Sequence, residues 1–166
     1  MSVSENPVRI RTARPYDAAA LLDLKHRLDE ETAFMMYEPG ERGSSVRDLA
    51  RDLAVMARSP NSVVLLAELG DQLAGYVELT GGSFRRSRAT AYVVIGVLAH
   101  AAGRGTGTEL LNQAKAWAAA RGLHRLEPTV MAHNAHLRIP SAEAEAAPFP
   151  FMKIMKESRH RSFMNF

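Results

Sequence analysis

Ala91-Tyr92-Val93-Val94-Ile95-Gly96-Val97-Leu98, four further residues, then Gly103-Arg104-Gly105-Thr106-Gly107-Thr108-Glu109-Leu110-Leu111: this stretch, continued to Gly122, decides the fold. Tyr92 to Leu98 is an apolar run of strand length. Beyond the glycines, Leu110, Leu111, Ala114, Trp117 and Ala118 fall on one face of a helix from about Thr106 to Arg121, which Gly122 ends in a left-handed stop. The stretch reads as strand, loop, helix. Gly103, Gly105 and Gly107 leave the backbone free of Cβ atoms, so successive N–H groups can converge on an anion at the positive end of the helix dipole. The same glycines also serve as a plain turn between packed elements.

Two phosphate loops are excluded. A dinucleotide-binding loop follows the first strand of a βαβ unit and needs an acidic residue about 20 positions on, at the end of the next strand. Here the loop lies past the middle of the chain, and Glu127 sits inside the next apolar run. A P-loop ends in Gly-Lys-Ser/Thr, which is absent.

Outward from this stretch, Val8-Arg9-Ile10-Arg11 alternates as a half-buried first strand does. Asp17 is placed to cap a helix through Arg27 or beyond, with Leu21, Leu24 and Leu28 on its apolar face and Asp29-Glu30-Glu31 as its charged end. Phe34 to Gly40 breaks the periodicity and reads as a loop. Ser44 and Ser45 open a second helix carrying Leu49, Leu53 and Met56, which Ser59-Pro60-Asn61 stops. Val63–Leu69 and Leu73–Leu79 form a hairpin about Gly70-Asp71, and Arg85, Arg86 and Arg88 decorate the next connection. Leu126 to Met131 is the strand after the glycine-loop helix; Pro128 belongs at an edge or splayed position.

Composition narrows the function. The 166 residues, 46% hydrophobic and 23% charged, make one globular domain. A net charge of +3, mostly arginine against carboxylates, suits an anionic ligand, but no run of about five like charges marks a nucleic-acid tract. The absence of cysteine excludes disulfides and a covalent thiol intermediate, and no His-Glu-x-x-His pair occurs, so no metal is expected. No apolar run reaches about 18 residues and no charged-then-apolar leader opens the chain, which predicts a cytoplasmic protein without membrane contact.

The pattern from Ile95 to Leu98 and from Gly103 to Leu111 resembles the acetyl-CoA signature of the GNAT superfamily of N-acyltransferases. Tyr37-Glu38-Pro39-Gly40-Glu41-Arg42, Gly122-Leu123-His124-Arg125-Leu126-Glu127 and Thr129-Val130-Met131-Ala132-His133-Asn134 are similar to bacterial members, so the likeness covers about Val8 to Asn134. It implies an α/β fold. The sheet is mixed and largely antiparallel, flanked by helices on both faces and splayed between the strand ending at Leu98 and the one starting near Leu126. One N-acetyltransferase-like domain is expected over 8–166, after a flexible 1–7. The implied activity is transfer of an acetyl group from acetyl-CoA, as co-substrate, to a primary amine by direct attack on the thioester. The alternative is a catalytically weak acyl-CoA-binding domain acting as sensor or assembly module.

The resemblance also assigns roles. The backbone N–H groups from Arg104 to Thr108, through Gly105, Thr106 and Gly107, cradle the diphosphate, and the Arg104 guanidinium adds charge. At Ala102 the basic residue or glutamine usual in relatives is missing. Gly96, Val97 and Leu98 present backbone groups to the pantetheine and the thioester oxygen. Asn134 contacts the pantetheine arm or acts as an ordinary N-cap. Tyr37 and Glu38 belong to the acceptor groove or to a core-plugging turn. Glu78, Glu127 and Tyr92 are the catalytic candidates, because an alkylammonium with a pKa near 10.4 must lose its proton. Each also reads as an ordinary paired, solvated or core side chain.

The tail departs from the family pattern. The tyrosine usual seven residues beyond the position of Asn134 is Ser141, Pro140 stops any helix begun there, and residues 139–150 are atypical. Arg159 to Phe163 is similar to a penultimate strand, but the sequence ends at Phe166 where relatives add another. This predicts a missing proton donor to the leaving thiolate and an open sheet edge, hence a homodimer.

Overall fold

The computed structural model describes residues 7–31 and 42–128. In chain order these form β1 (Arg9–Thr12), a short 3-10 turn (Pro15–Asp17), α1 (Ala18–Glu31), α2 (Val46–Met56), β2 (Val63–Leu69), β3 (Gln72–Gly81), β4 (Thr90–Val97), α3 (Thr106–Ala120) and β5 (Arg125–Pro128). The strands make one sheet in the order β1-β2-β3-β4-β5. Neighbours are antiparallel except β4 and β5, which are parallel and therefore need the α3 crossover between them.

Helices cover both faces, which is why β2 opens with five buried residues in succession instead of alternating. On one face Leu110, Ala114 and Ala118 of α3 pack against Leu65, Val77, Leu79 and Val93. The alanines let the helix lie close to the sheet. On the other face Leu21, Leu24 and Leu28 of α1 and Leu49 and Leu53 of α2 cover Val64, Leu66 and Tyr76. Helix α2 starts as its sequence predicts, with the Ser45 hydroxyl accepting the Asp48 N–H at 3.1 Å.

One expectation changes, and two further features emerge. Asp17 does not cap α1: the 3-10 turn precedes that helix, and the buried carboxylate turns back to accept the Arg14 N–H and two hydrogen bonds from Arg11, both at 2.8 Å. Asp29, in the charged end of α1, is buried. It is 3% exposed and paired bidentately at 2.8 Å with Arg42. Gly96 sits in regular register opposite Tyr76, and the irregularity between β2 and β3 lies between Ala67 and Glu68. The described pairing of β5 with β4 runs only from Thr90 to Val93, so the predicted splay falls beyond Pro128, outside the described residues.

Candidate functional site

The loop between β4 and α3 is shaped by two of its three glycines. Gly103 (φ +74°) and Gly105 (φ +80°) occupy the left-handed region, where a Cβ costs about 1 kcal/mol or more, and open space surrounds both. Gly107 differs: it lies inside α3 with ordinary backbone, and a Cβ there would touch only the Val97 side chain at 3.7 Å. Gly105 is the N-cap of α3 and has no side chain to satisfy the first turn. The N–H groups of Thr106, Gly107 and Thr108 have no intrahelical acceptor and bond no other carbonyl among the described residues. Thr106 is buried beside them, and its hydroxyl is likewise unpartnered among the described residues. Arg104 is exposed at the apex. Unmet donors, a helix N-terminus and a guanidinium around open space fit a diphosphate.

On β4, the phase of the hydrogen-bond ladder decides which groups are available. The Leu98 N–H donates to Ala74 at 2.8 Å, and the Leu98 carbonyl accepts from Ala101 and Ala102. Alternation along an antiparallel pair therefore turns the polar groups of Leu98, Gly96 and Val94 toward β3, and those of Ile95 and Val97 toward the β5 side. There the described part of β5 has already ended. Val97 and Ile95 thus have backbone groups directed away from β3, whereas those of Gly96 and Leu98 are directed toward β3. The lack of a side chain at Gly96 serves packing instead, since a Cβ would lie 2.7 Å from Leu28 Cδ1 and 3.1 Å from Tyr76. Glu31, at the end of α1, accepts the Ala99 N–H at 2.9 Å and ties that helix to the start of the loop.

The three catalytic candidates share one face of the sheet. Tyr76 and Val94 point toward α1 and α2. Strand alternation places Glu78 and Tyr92, each two residues away, on the same side, and Glu127 lies opposite Tyr92 in the parallel register. Tyr92 is 54% exposed, so it is not core. Glu127 Oε1 is 2.8 Å from Arg125 Nε, yet that N–H is not directed at it and remains without a hydrogen bond among the described residues. Glu78 Oε2 is held by Lys25 Nζ at 3.1 Å, while its other oxygen accepts no hydrogen bond among the described residues. Lys25, from α1, also lies 5.0 Å from the centroid of the Tyr76 ring. Burial pushes the Tyr76 phenol well above its ordinary pKa, the Glu78 carboxylate adding to the shift, so this ring keeps its proton and belongs to the core beneath α1 and α2.

An open cavity of about 830 Å³ runs beside this face. Glu78 and Thr80 of β3, Asp52 and Met56 of α2, and Arg88 and Arg121 contribute to its lining. Glu127 and Tyr92 do not line it. Tyr37, Glu38 and Asn134 lie outside the described residues, as do Ser141 and the rest of the tail. Sequence reasoning did not single out Lys25, Ile95 or Asp52. A lysine on the leucine-bearing face of α1 is the available sign of the first, but its partner is 53 residues away.

The family model described as Acetyltransferase (GNAT) family matches residues 25–138, more than two thirds of the chain. Among solved structures, an acetyltransferase of the GNAT family from Streptococcus pneumoniae is 32% identical, with a TM-score of 0.74 and 77% of each chain covered. A ribosomal-protein-alanine N-acetyltransferase from Brucella melitensis is 27% identical, with a TM-score of 0.67 and 76% of each chain covered. A putative acetyltransferase from Salmonella typhimurium, solved with its cofactor acetyl-CoA, shares the fold at 22% identity and a TM-score of 0.67, over 78% of this chain and 73% of that one. No curated protein matches the sequence. With the family model spanning α1 to beyond β5 and the Streptococcus structure alike in both sequence and fold, the chain belongs to the GNAT family of acetyltransferases.

Proposed function

We propose that this protein is an acetyl-CoA-dependent N-acyltransferase that acetylates a primary amine by direct attack on the thioester. The observation that carries this reading is the loop in which left-handed Gly103 and Gly105 present the unmet N–H groups of α3 to open space beside Arg104. The co-substrate supplies an acyl group already activated as a thioester. The chain supplies position and charge. Backbone N–H groups of Thr106, Gly107 and Thr108, with Arg104, hold the diphosphate. Ile95 and Val97 offer backbone groups to the pantetheine and acyl portion on the open side of β4.

The amine reaches the polar face of the sheet from the cavity. The ammonium first gives one proton to the free oxygen of Glu78, directly or through water, and the neutral amine then attacks; as the C–N bond forms and the C–S bond breaks, a second nitrogen proton goes to the departing thiolate, which leaves as the CoA thiol. Lys25, at 3.1 Å, orients Glu78 for that step. Tyr92 and Glu127 are the other proton-bearing side chains on this face. With no cysteine in the sequence, acyl transfer through an enzyme thiol has no acceptor. The protein works in the cytoplasm, as a homodimer.

Thiol release from acetyl-CoA, followed over a panel of primary amines, tests the reading. Transfer to at least one amine is expected, with Arg104→Glu raising the acetyl-CoA KM about tenfold or more. An unchanged KM would remove Arg104 from the site. Saturable acetyl-CoA binding without transfer to any amine would make the chain an acyl-CoA-binding module instead.

A further inference from the structure

The acceptor cavity carries its own statement about charge. Its charged lining among the described residues is Asp52 of α2, Glu78 of β3, Arg88 of the β3–β4 connection and Arg121 at the end of α3. Among the described residues the lining thus carries two guanidiniums and two carboxylates, and one of those carboxylates, Glu78, is already met by Lys25 at 3.1 Å. Arg121 stacks on the Trp117 ring at 4.0 Å and has no carboxylate partner among the described residues. Arg88 has none either, nor do Arg85 and Arg86 on the same exposed β3–β4 connection. Other arginines are met, Arg9 and Arg11 by Glu68, Arg42 by Asp29 and Arg51 by Asp48, while Arg14, Arg27, Arg47, Arg58 and Arg104 are not paired with a carboxylate among the described residues. Arg88 and Arg121 are the guanidiniums that line the cavity without a carboxylate partner among the described residues.

Resting on the transferase reading above, we infer that the acceptor is a small zwitterionic amine, with an ammonium and a carboxylate or phosphate on one molecule. The ammonium lies against Asp52 and the free oxygen of Glu78. The anionic group lies toward Arg88 and Arg121, where a guanidinium can grip two oxygens at once. A polyamine or aminoglycoside brings several cations to a lining that carries no net negative charge among the described residues. A volume of about 830 Å³ is of small-molecule size.

The test compares, by thiol release from acetyl-CoA, free α-amino acids, the same amino acids as amides, spermidine, the aminoglycoside sisomicin, and a short neutral peptide. Amidation lowers the pKa of the amine and so favours the amide on chemical grounds alone; a preference for the acid reports the arginines. The account expects kcat/KM at least about tenfold higher for a free acid than for its amide or for either polycation. Arg88→Glu should abolish that preference while leaving acetyl-CoA affinity unchanged. Transfer with the amide, a polycation or the peptide preferred would overturn the acceptor class and leave the transferase reading intact. Absence of thiol release with every amine would overturn the transferase reading, and this inference with it.

Discussion

The two faces of the sheet are built differently. Under α3 the buried cluster is aliphatic, with Leu65, Val77, Leu79, Val93, Leu110, Ala114 and Leu126, and the buried polar residue of that helix, Thr106, carries no charge. Under α1 and α2 an equally buried layer of leucines carries Asp17, Lys25 and Asp29, each at most 9% exposed. Each of these has a partner: Arg11 for Asp17, Glu78 for Lys25 and Arg42 for Asp29. A buried ion pair is a poor source of stability compared with hydrophobic side chains of the same volume. Its presence on one face alone marks that face as the one on which charge has a use. That is also the face bearing Glu78, Tyr92 and Glu127.

Stability measurements can break this contrast. Asp29→Ala leaves the largely buried Arg42 guanidinium without its bidentate carboxylate, and an unfolding loss of about 4 kcal/mol is expected in a denaturant titration. Replacing both partners with aliphatic residues should restore most of that loss. On the other face Leu110→Ala should cost about 3 kcal/mol through its cavity, with no second substitution of charge able to restore it. If Asp29→Ala proves neutral, the buried pair is not the constraint described here.

Two glycines sharpen the comparison at a finer scale. Gly96→Ala drives a methyl against Leu28 and Tyr76 on the polar face and should destabilise by about 2 kcal/mol. Gly107→Ala meets only ordinary contact with Val97 on the apolar face and should be neutral or stabilise α3 by up to about 1 kcal/mol. Equal losses at the two sites would contradict the packing account of Gly96.

A smaller, pH-dependent effect belongs to Asp17. The hydrogen bonds from Arg11 hold its carboxyl below the ordinary value, against the opposing effect of burial and with help from the Arg14 N–H. Because the folded pKa is depressed, its contribution is complete above the unfolded value of about 3.9 and is lost as pH falls through the folded one. Asp17→Asn should therefore flatten the acid limb of the stability curve below about pH 4, and an unchanged limb would refute the role.

What could be read from the sequence follows the same division. The apolar face and the loop rest on local signals: β2 spans Val63–Leu69 as its run of branched residues and leucine predicts, and Gly122 ends α3 in the left-handed region. Gly103 and Gly105 stand out because only glycine is at ease where φ is positive. The polar face rests on long-range pairing. Nothing near Glu78 in the chain announces Lys25, and nothing near Asp29 announces that a charged residue at a helix end is buried against Arg42. The ladder phase on β4, which makes Ile95 and Val97 available and occupies Leu98, depends on its register with β3 and is invisible in a single strand.

The central claim is that backbone geometry in the β4–α3 loop creates the cofactor site, and calorimetric titration with acetyl-CoA tests it most directly. The wild-type protein should bind saturably, and Gly105→Val should remove that binding while retaining the same circular dichroism, because the strain is confined to an exposed turn with open space around it. No binding by the folded wild type, or equal binding by Gly105→Val, would contradict the account.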